Sequence, residues 1–244
     1  MALERDRIVG TALRLLDEVG LDKLTLRRLA AELGVQAPAL YWHFRSKQEL
    51  LDEMTEVISV GQSPPLRPLA EGESWESWLG DWIRGRREVL NSHRDAARLI
   101  AGTHPGRATL EAVELILESL QRAGFTGVDA MWGLGTLASF LGGFVHEEQA
   151  DRERGLSDQS QFDKAMEDLA PYPHLRAVMA ETGGPQSDAS FEHGLSLIIA
   201  GMRARLASGP ADPADSAGAI GSVGFVGREG DGDLSVEGVQ PTSG

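Results

Sequence analysis

The sequence predicts an all-α protein, with a three-helix unit at the front and a larger helical domain behind it. Three observations lead there. Apolar residues recur at three- and four-residue steps along most of residues 8–206. No stretch before residue 210 reads as a strand. Glycines and N-cap residues punctuate the helical stretches at sensible intervals.

The elements follow in order. Ile8, Ala12, Leu15, Leu16 and Val19 mark a first helix, which Gly20 stops. Thr25 is the N-cap of "LRRLAAEL", and Gly34 ends it. "QAPALYWHF" is a short helix with Pro38 in its first turn. Ser46 and Glu49 have capping-box spacing and open a helix through about Ser59. "SPPLRP" (Ser63 to Pro68) breaks the pattern, and "GESWESWLGDWIRGRREVLNSH" resumes it. Trp75, Trp78 and Trp82 fall on one face, which for the first two reads as core. Asp95 starts a shorter helix ending by Gly102, and "HPG" makes a turn before a helix marked by Leu110, Val113, Leu117 and Leu120. Thr126 and Asp129 cap an unusually apolar helix from Val128 to about Ala150, which belongs in a core or an interface. A polar connector runs from Asp151 to about Tyr172, and a last helix spans roughly Ser187 to Leu206. The Gly-, Ser-, Pro- and Asp-rich remainder reads as a disordered tail. The expected domains are 1–50, 51–206 and a tail over 207–244.

At 244 residues there is room for one large domain or two modest ones. No continuous run of about 18 apolar residues is present, so no membrane span is expected. The charged N-terminus lacks the apolar core of an export signal, and the absence of cysteine fits a cytoplasmic protein without disulfides or thiolate metal sites. The net charge of −14 argues against non-specific nucleic-acid binding by the whole molecule. That charge is uneven: residues 1–50 carry a net +1 and the rest −15. Only the front of the chain can face a polyanion, and repulsion of the remainder favours one docking orientation.

Residues 25–43 have a helix-turn-helix layout. A small side chain at Ala30 lets the second helix approach, and Gly34 can adopt the positive φ of a tight turn. Leu26, Leu29, Leu33, Val35 and Leu40 form the shared core, leaving Gln36, Ala37, Ala39, Tyr41, Trp42 and His43 facing outward. An isolated aromatic pair would more simply be core. The Ala/Gly spacing, the cap and the flanking cations favour the outward reading, because DNA covers such groups: rings and hydroxyls reach phosphates and sugars, and methyl groups meet thymine methyls. Thr25, Arg27, Arg28 and Lys47 flank the helix and can bond phosphates.

Together, "LTLRRLAAELGV" and "LYWHFRSKQELL" resemble the N-terminal domain of the tetracycline-repressor (TetR) family over roughly residues 4–52. "GESWESWL", "SHRDAARLIAGTHP" and "FLGGFVHEEQ" extend the likeness, toward the tetracycline-repressor subgroup, over most of residues 4–206. The resemblance implies a DNA-facing set of Arg27, Gln36, Ala37, Pro38, Ala39, Tyr41, Trp42, His43 and Lys47. The tetracycline repressors have polar base readers where Ala37 and Ala39 stand, so a different operator is expected, with Arg27 and Gln36 as base readers.

The resemblance also implies a second domain that dimerises and encloses an inducer. The apolar helices at 128–150 and 187–206 suit a four-helix dimer interface, and small residues in "GLSLIIAG" permit close packing. A dimer demands a palindromic site. By family position, Trp82, Arg86, Ile100, Thr103, His104, Leu117, Met131, Leu134 and Glu147 surround the inducer. In tetracycline repressors a drug-bound magnesium meets a histidine directly and a glutamate through water. Glu147 is present, but Ile100 replaces the histidine and cannot ligate a metal. Trp82 and Arg86 stand where an asparagine and a phenylalanine grip the drug. The expected inducer is therefore a larger aromatic or polyketide-like compound, stacked on Trp82 and hydrogen-bonded by Arg86, Thr103 or His104, with no cofactor and no metal. His104 and His146 read more simply as surface or turn histidines. His146, Glu147 and Glu148 lack a second histidine at helical spacing for a metal site. No Ser/His/Asp set, P-loop or dinucleotide fingerprint suggests an enzyme. The expected function is a ligand-released repressor; a ligand-independent regulator, an activator and a small-molecule carrier are the alternatives.

Overall fold

The computed structural model describes residues 4–60, 65–154, 159–184 and 186–209. Among them are eleven α-helices, one 3-10 turn and no strand. Helix α1 (Arg5–Val19) buries Ile8, Val9, Ala12, Leu13, Leu15 and Leu16, and ends where Gly20 (φ 80°) donates to the Leu16 carbonyl. After the 3-10 turn Leu21–Lys23, the Thr25 hydroxyl accepts from the Arg28 amide and starts α2 (Leu26–Leu33). Gly34 closes α2 in the left-handed region at φ 70°, as expected for the turn before α3 (Ala37–Leu40). Leu40 and Phe44 plug the core between α1, α2 and α4 (Lys47–Val60). The Ser46 hydroxyl caps α4 by accepting from the Glu49 amide, but the Glu49 carboxylate reaches back to the Arg45 amide rather than to Ser46.

Behind this unit come α5 (Trp75–Asn91), α6 (Ala96–Ala101), α7 (Arg107–Arg122), α8 (Gly127–Arg154), α9 (Gln159–Asp168), α10 (Pro173–Thr182) and α11 (Asp188–Ser208). Helix α8 is central and packs against α5, α6, α7 and α11. Its seam with α11 is aromatic: Phe191 lies 5.5 Å from Phe140 and 5.2 Å from Phe144, centroid to centroid. The two helices approach so closely that a Cβ on Gly194 would lie 2.6 Å from the Phe140 ring. Trp75 and Trp78 are core, as their spacing suggests. The segment after α4 is held from Leu66 onward: Trp78 Nε1 donates to the Arg67 carbonyl at 3.0 Å, and the Leu69 amide to Ser119 Oγ at 3.3 Å. Ser63 and Pro64 of the expected break lie outside the described residues.

Three expectations change. The short helix ends at Leu40, so Tyr41–His43 form a turn rather than its last residues. The connector expected from Asp151 contains the end of α8 and all of α9. Helix α10 is an addition to the expected elements: it buries no residue and leaves Leu175 and Val178 exposed, and Pro173 in its first turn and Gly183 (φ 69°) after it mark its ends. The expectation of no membrane span is not among them: α8 is long and apolar enough by length and composition, but a single such helix is equally the packed helix of a helical body. Within one chain it buries only one face, through Ala130, Leu134, Leu137, Leu141 and Val145. The expected tail from residue 210 lies outside the described residues.

Candidate nucleic-acid interface and ligand-binding core

The front unit presents a ring-bearing turn to solvent. Trp42 is 89% exposed and Tyr41 57% exposed, while the neighbouring Leu40 and Phe44 are fully buried. His43, Ala37 and Ala39 are half-buried, and Thr25, Arg27, Arg28, Gln36, Pro38 and Lys47 are exposed. A large ring left in water is unfavourable unless a partner covers it.

Ion pairing sharpens the charge asymmetry seen in the sequence. In the front unit Arg5 pairs with Glu49 and Glu53, and Arg14 with Glu18 and Glu32. Arg7, Lys23, Arg27, Arg28, Arg45 and Lys47 form no ion pair among the described residues. Behind the front unit most cations are neutralised: Arg67 by Glu73, Arg84 by Glu192, Arg87 by Glu148, Arg94 by Glu153, Arg98 by Asp22 and Arg205 by Asp129. The free positive charge therefore concentrates in the front unit, which carries the ring-bearing turn. Arg7, Lys23 and Arg45 belong to this set and escape sequence reasoning, in which an unpaired cation cannot be told from a paired one.

The turn is anchored from beneath by Arg5. Its guanidinium donates to the His43 carbonyl at 2.6 Å and to Glu53 at 2.9 Å, and lies 4.4 Å from the centroid of the Phe44 ring. The Glu53 hydrogen bond is the main reason its pKa is raised. Sequence spacing gives no hint of these contacts, which span about forty residues.

Two sets of contacts join this unit to the body. Along α4, Gln48 donates to the Gly102 carbonyl (2.9 Å), Asp52 accepts from the His104 amide (3.3 Å), and the Thr55 and Thr103 hydroxyls meet at 3.0 Å. One residue further, Glu56 accepts from the Ala108 amide (2.7 Å) at the start of α7. Gly106 leaves room for that carboxylate; a Cβ there would overlap it. At the other side, Asp17 accepts from the Arg94 amide (3.0 Å), and the buried Asp95 accepts from the Leu21 amide (2.7 Å). Asp95 stands at the N-cap of α6 as expected, yet its carboxylate makes no cap bond there.

Of the nine residues expected around an inducer, Trp82, Arg86, Ile100, Thr103 and Leu117 are half-buried in the body and Leu134 is fully buried. His104 is 79% exposed, Met131 is exposed, and Glu147 is exposed and paired with Arg154. Two clefts are lined by other residues: one by Asp17, Arg94, Asp95 and Gln149, the second by Arg84, Glu192, Leu197 and Arg203. Arg86 donates to the Ser59 carbonyl at 3.4 Å, and burial pushes its pKa down. A magnesium ion does not fit these residues: Ile100 offers no donor, and no three His, Asp or Glu side chains converge among the described residues.

An exposed helix-turn-helix with a free cationic surround, joined along α4 and through Asp17 and Asp95 to an apolar helical body, defines a two-part regulator of the helix-turn-helix class. Residues 8–54 match the model of the bacterial regulatory proteins of the tetR family, and residues 67–206 the tetracyclin repressor-like C-terminal domain. The tetracycline repressor protein class A from transposon 1721 of Escherichia coli is 40% identical over 203 residues, covering 83% of this chain and 92% of that one. The Streptomyces coelicolor TetR family protein ActR in complex with actinorhodin has a TM-score of 0.72 at 29% identity, covering 84% and 98%. A single-substitution variant of TetR from Acinetobacter baumannii AYE in complex with minocycline has 0.64 at 32%, covering 83% and 97%. The chain belongs to the TetR family of bacterial regulatory proteins.

Proposed function

We propose that the protein is a cytoplasmic transcriptional repressor that grips a palindromic operator as a homodimer and is released by a small aromatic or polyketide-like inducer. The single observation that carries the reading is the exposed Tyr41–Trp42 turn, amid unpaired cations, on a chain whose other cations are mostly neutralised. In this reading residues 1–50 form the reading domain and residues 51–206 the ligand-binding and dimerisation domain. Arg27 and Gln36 read base edges; Thr25, Arg28 and Lys47 bond phosphates; and Ala37, Pro38, Ala39, Tyr41, Trp42 and His43 make apolar and ring contacts.

Helix α4 transmits the signal. Its first turn holds the reading turn through Glu49 and Arg5, and its side is bonded to residues 102–108 through Gln48, Asp52, Thr55 and Glu56. A ligand entering the body near Trp82, Ile100, Thr103 and Leu117 displaces those loop residues, and α4 moves with them. The two reading turns of the dimer then leave the spacing of successive major grooves. Operator and inducer oppose each other by the same factor in both directions. The unburied faces of α8 and α11, with Val128, Met131, Trp132 and Leu197, supply the dimer contact.

The test is selection of operators from random duplex DNA, followed by titration with aromatic compounds. A palindrome bound by a dimer and released by at least one compound supports the reading. Selection of no sequence above background, or an operator affinity indifferent to every compound bound by the body, contradicts it.

A further inference from the structure

Arg86 and Arg87 are neighbours on α5, and they live in opposite electrostatic settings. Arg87 donates to Glu148, pairs with Asp188 at 2.8 Å and lies 4.4 Å from the centroid of the Phe191 ring. Arg86 is also partly buried, yet no carboxylate reaches it among the described residues. Among the described residues its one hydrogen bond is the 3.4 Å contact to the Ser59 carbonyl, which leaves most of its five donors without a partner there. Residues 61–64, next in the chain after α4, are Gly, Gln, Ser and Pro and bring no carboxylate. A sheltered cation without a counter-charge destabilises the fold that holds it. Desolvation is the sole cause of its lowered pKa. Trp82 sits four residues earlier on the same helix face and is itself half-buried.

We propose that Arg86 is the anion-recognition residue of the ligand site, and that the protein's effector is a planar aromatic carboxylate whose acid group caps the guanidinium while its rings lie along Trp82. The guanidinium fork matches a carboxylate in two parallel hydrogen bonds, which fixes ligand orientation as well as charge. The aromatic face of Trp82 suits a planar ring system. The inference rests on the reading of the body as a ligand-binding domain, and it narrows that reading from aromatic compounds in general to acidic ones.

The experiment uses the full chain and two probes that differ in one group, anthraquinone-2-carboxylate and its methyl ester. Binding is read by quenching of tryptophan fluorescence, and operator release separately by anisotropy of a labelled duplex. The acid should bind at least tenfold more tightly than the ester. Arg86→Gln should abolish that preference without weakening the ester, and Arg86→Lys should keep part of it. A second measurement needs no ligand: Arg86→Met should raise the thermal midpoint of the free protein by a few degrees, because it removes an uncompensated charge. Equal binding of acid and ester, or a preference that survives Arg86→Gln, overturns the proposal. So does a lower midpoint for Arg86→Met, which would reveal a structural counter-charge from the rest of the chain or a second copy. If the acid binds through Arg86 but never releases the operator, the anion site stands and the repressor reading fails. Release by the ester alone leaves the repressor reading intact and sinks the anion site.

Discussion

The Arg5 guanidinium donates to the backbone carbonyl of His43 at 2.6 Å, tying the first residue of α1 to the last residue of the reading turn. Glu53 and the Phe44 ring complete the anchor from α4 and from the core. Arg5 is thus a positioning residue for the exposed rings. Arg5→Ala should lower operator affinity by roughly tenfold, about 1.4 kcal/mol, while leaving helical content intact. Arg5→Lys should recover part of that loss, since a lysine can still reach the carbonyl but cannot fork between partners. Titration of labelled operator, alongside far-ultraviolet circular dichroism, checks it. An affinity unchanged in Arg5→Ala would mean that the turn keeps its shape without this anchor.

Trp42 touches almost nothing in the protomer, so its removal separates folding from function. Trp42→Ala should change the unfolding free energy by no more than about 0.5 kcal/mol, as for a surface position. It should still weaken operator binding by about 1–3 kcal/mol if the ring contacts the duplex. Lys47→Ala should weaken binding to all sequences alike and reduce the salt dependence by about one charge. The checks are thermal melts and affinities at several salt concentrations. A Trp42→Ala protein that binds normally would remove the ring from the interface.

The parts of this fold that are legible in the sequence are those governed by neighbours. Thr25 and Gly34 bracket α2 because a cap and a left-handed stop act within four residues, and the structure shows both. The three ring-bearing residues after Leu40 are readable as an outward group, but the place where the helix ends is not. The illegible parts depend on distant partners. Asp95 can be located as the start of α6, yet its carboxylate faces Leu21, 74 residues away. Arg86 and Arg87 look alike in sequence, and only the fold shows which of them has carboxylates. Helix α10 is too short for its three large apolar residues, Leu175, Val178 and Met179, to separate it from the connector before it, and it buries no residue within the chain. His104, Met131 and Glu147 are placed by likeness alone, and in this chain they face outward.

Asp95 is also the one non-glycine residue with positive φ among those described, at 56°. Asparagine and aspartate tolerate that conformation better than other side chains. Asp95→Ala should therefore lose twice, through the strained backbone and through the orphaned Leu21 amide, at a cost of about 1–3 kcal/mol. Asp95→Asn should lose less, because it keeps the tolerance for positive φ and a carbonyl acceptor for Leu21. Chemical denaturation of both variants checks the order. A smaller loss in Asp95→Ala than in Asp95→Asn would show that the contact between the 3-10 turn and α6 does not depend on this acceptor.

Glu73 gives the clearest pH signature. Its hydrogen bond from Arg67, helped by the Ala70 amide, holds its pKa at about 2 instead of the ordinary 4.5. The folded value is depressed, so its stabilising contribution is fully present above pH 4.5 and is lost as the pH falls toward about 2. The thermal midpoint of the native protein should therefore drop more steeply across that window than the midpoint of Glu73→Gln. Melts at half-unit pH intervals read the difference, and parallel curves would show that the pair is open in solution.

The seam between α8 and α11 allows two substitutions three residues apart to report on different surfaces. Gly194 faces inward, where a methyl group would press on the Phe140 ring at 2.6 Å and disturb the stack with Phe191. Gly194→Ala should cost the protomer about 1–3 kcal/mol, the usual range for overpacking. Leu197 faces outward and is 60% exposed within one chain. Leu197→Asp should leave secondary structure unchanged while shifting the protein from dimer to monomer, because a carboxylate on that face must be buried when two copies meet. Sedimentation velocity separates the outcomes, since Gly194→Ala should lower the melting temperature and still sediment as a dimer. If Leu197→Asp remained dimeric at micromolar concentration, this face of α11 would lie outside the subunit contact, and the exposed residues of α8 would have to account for it alone.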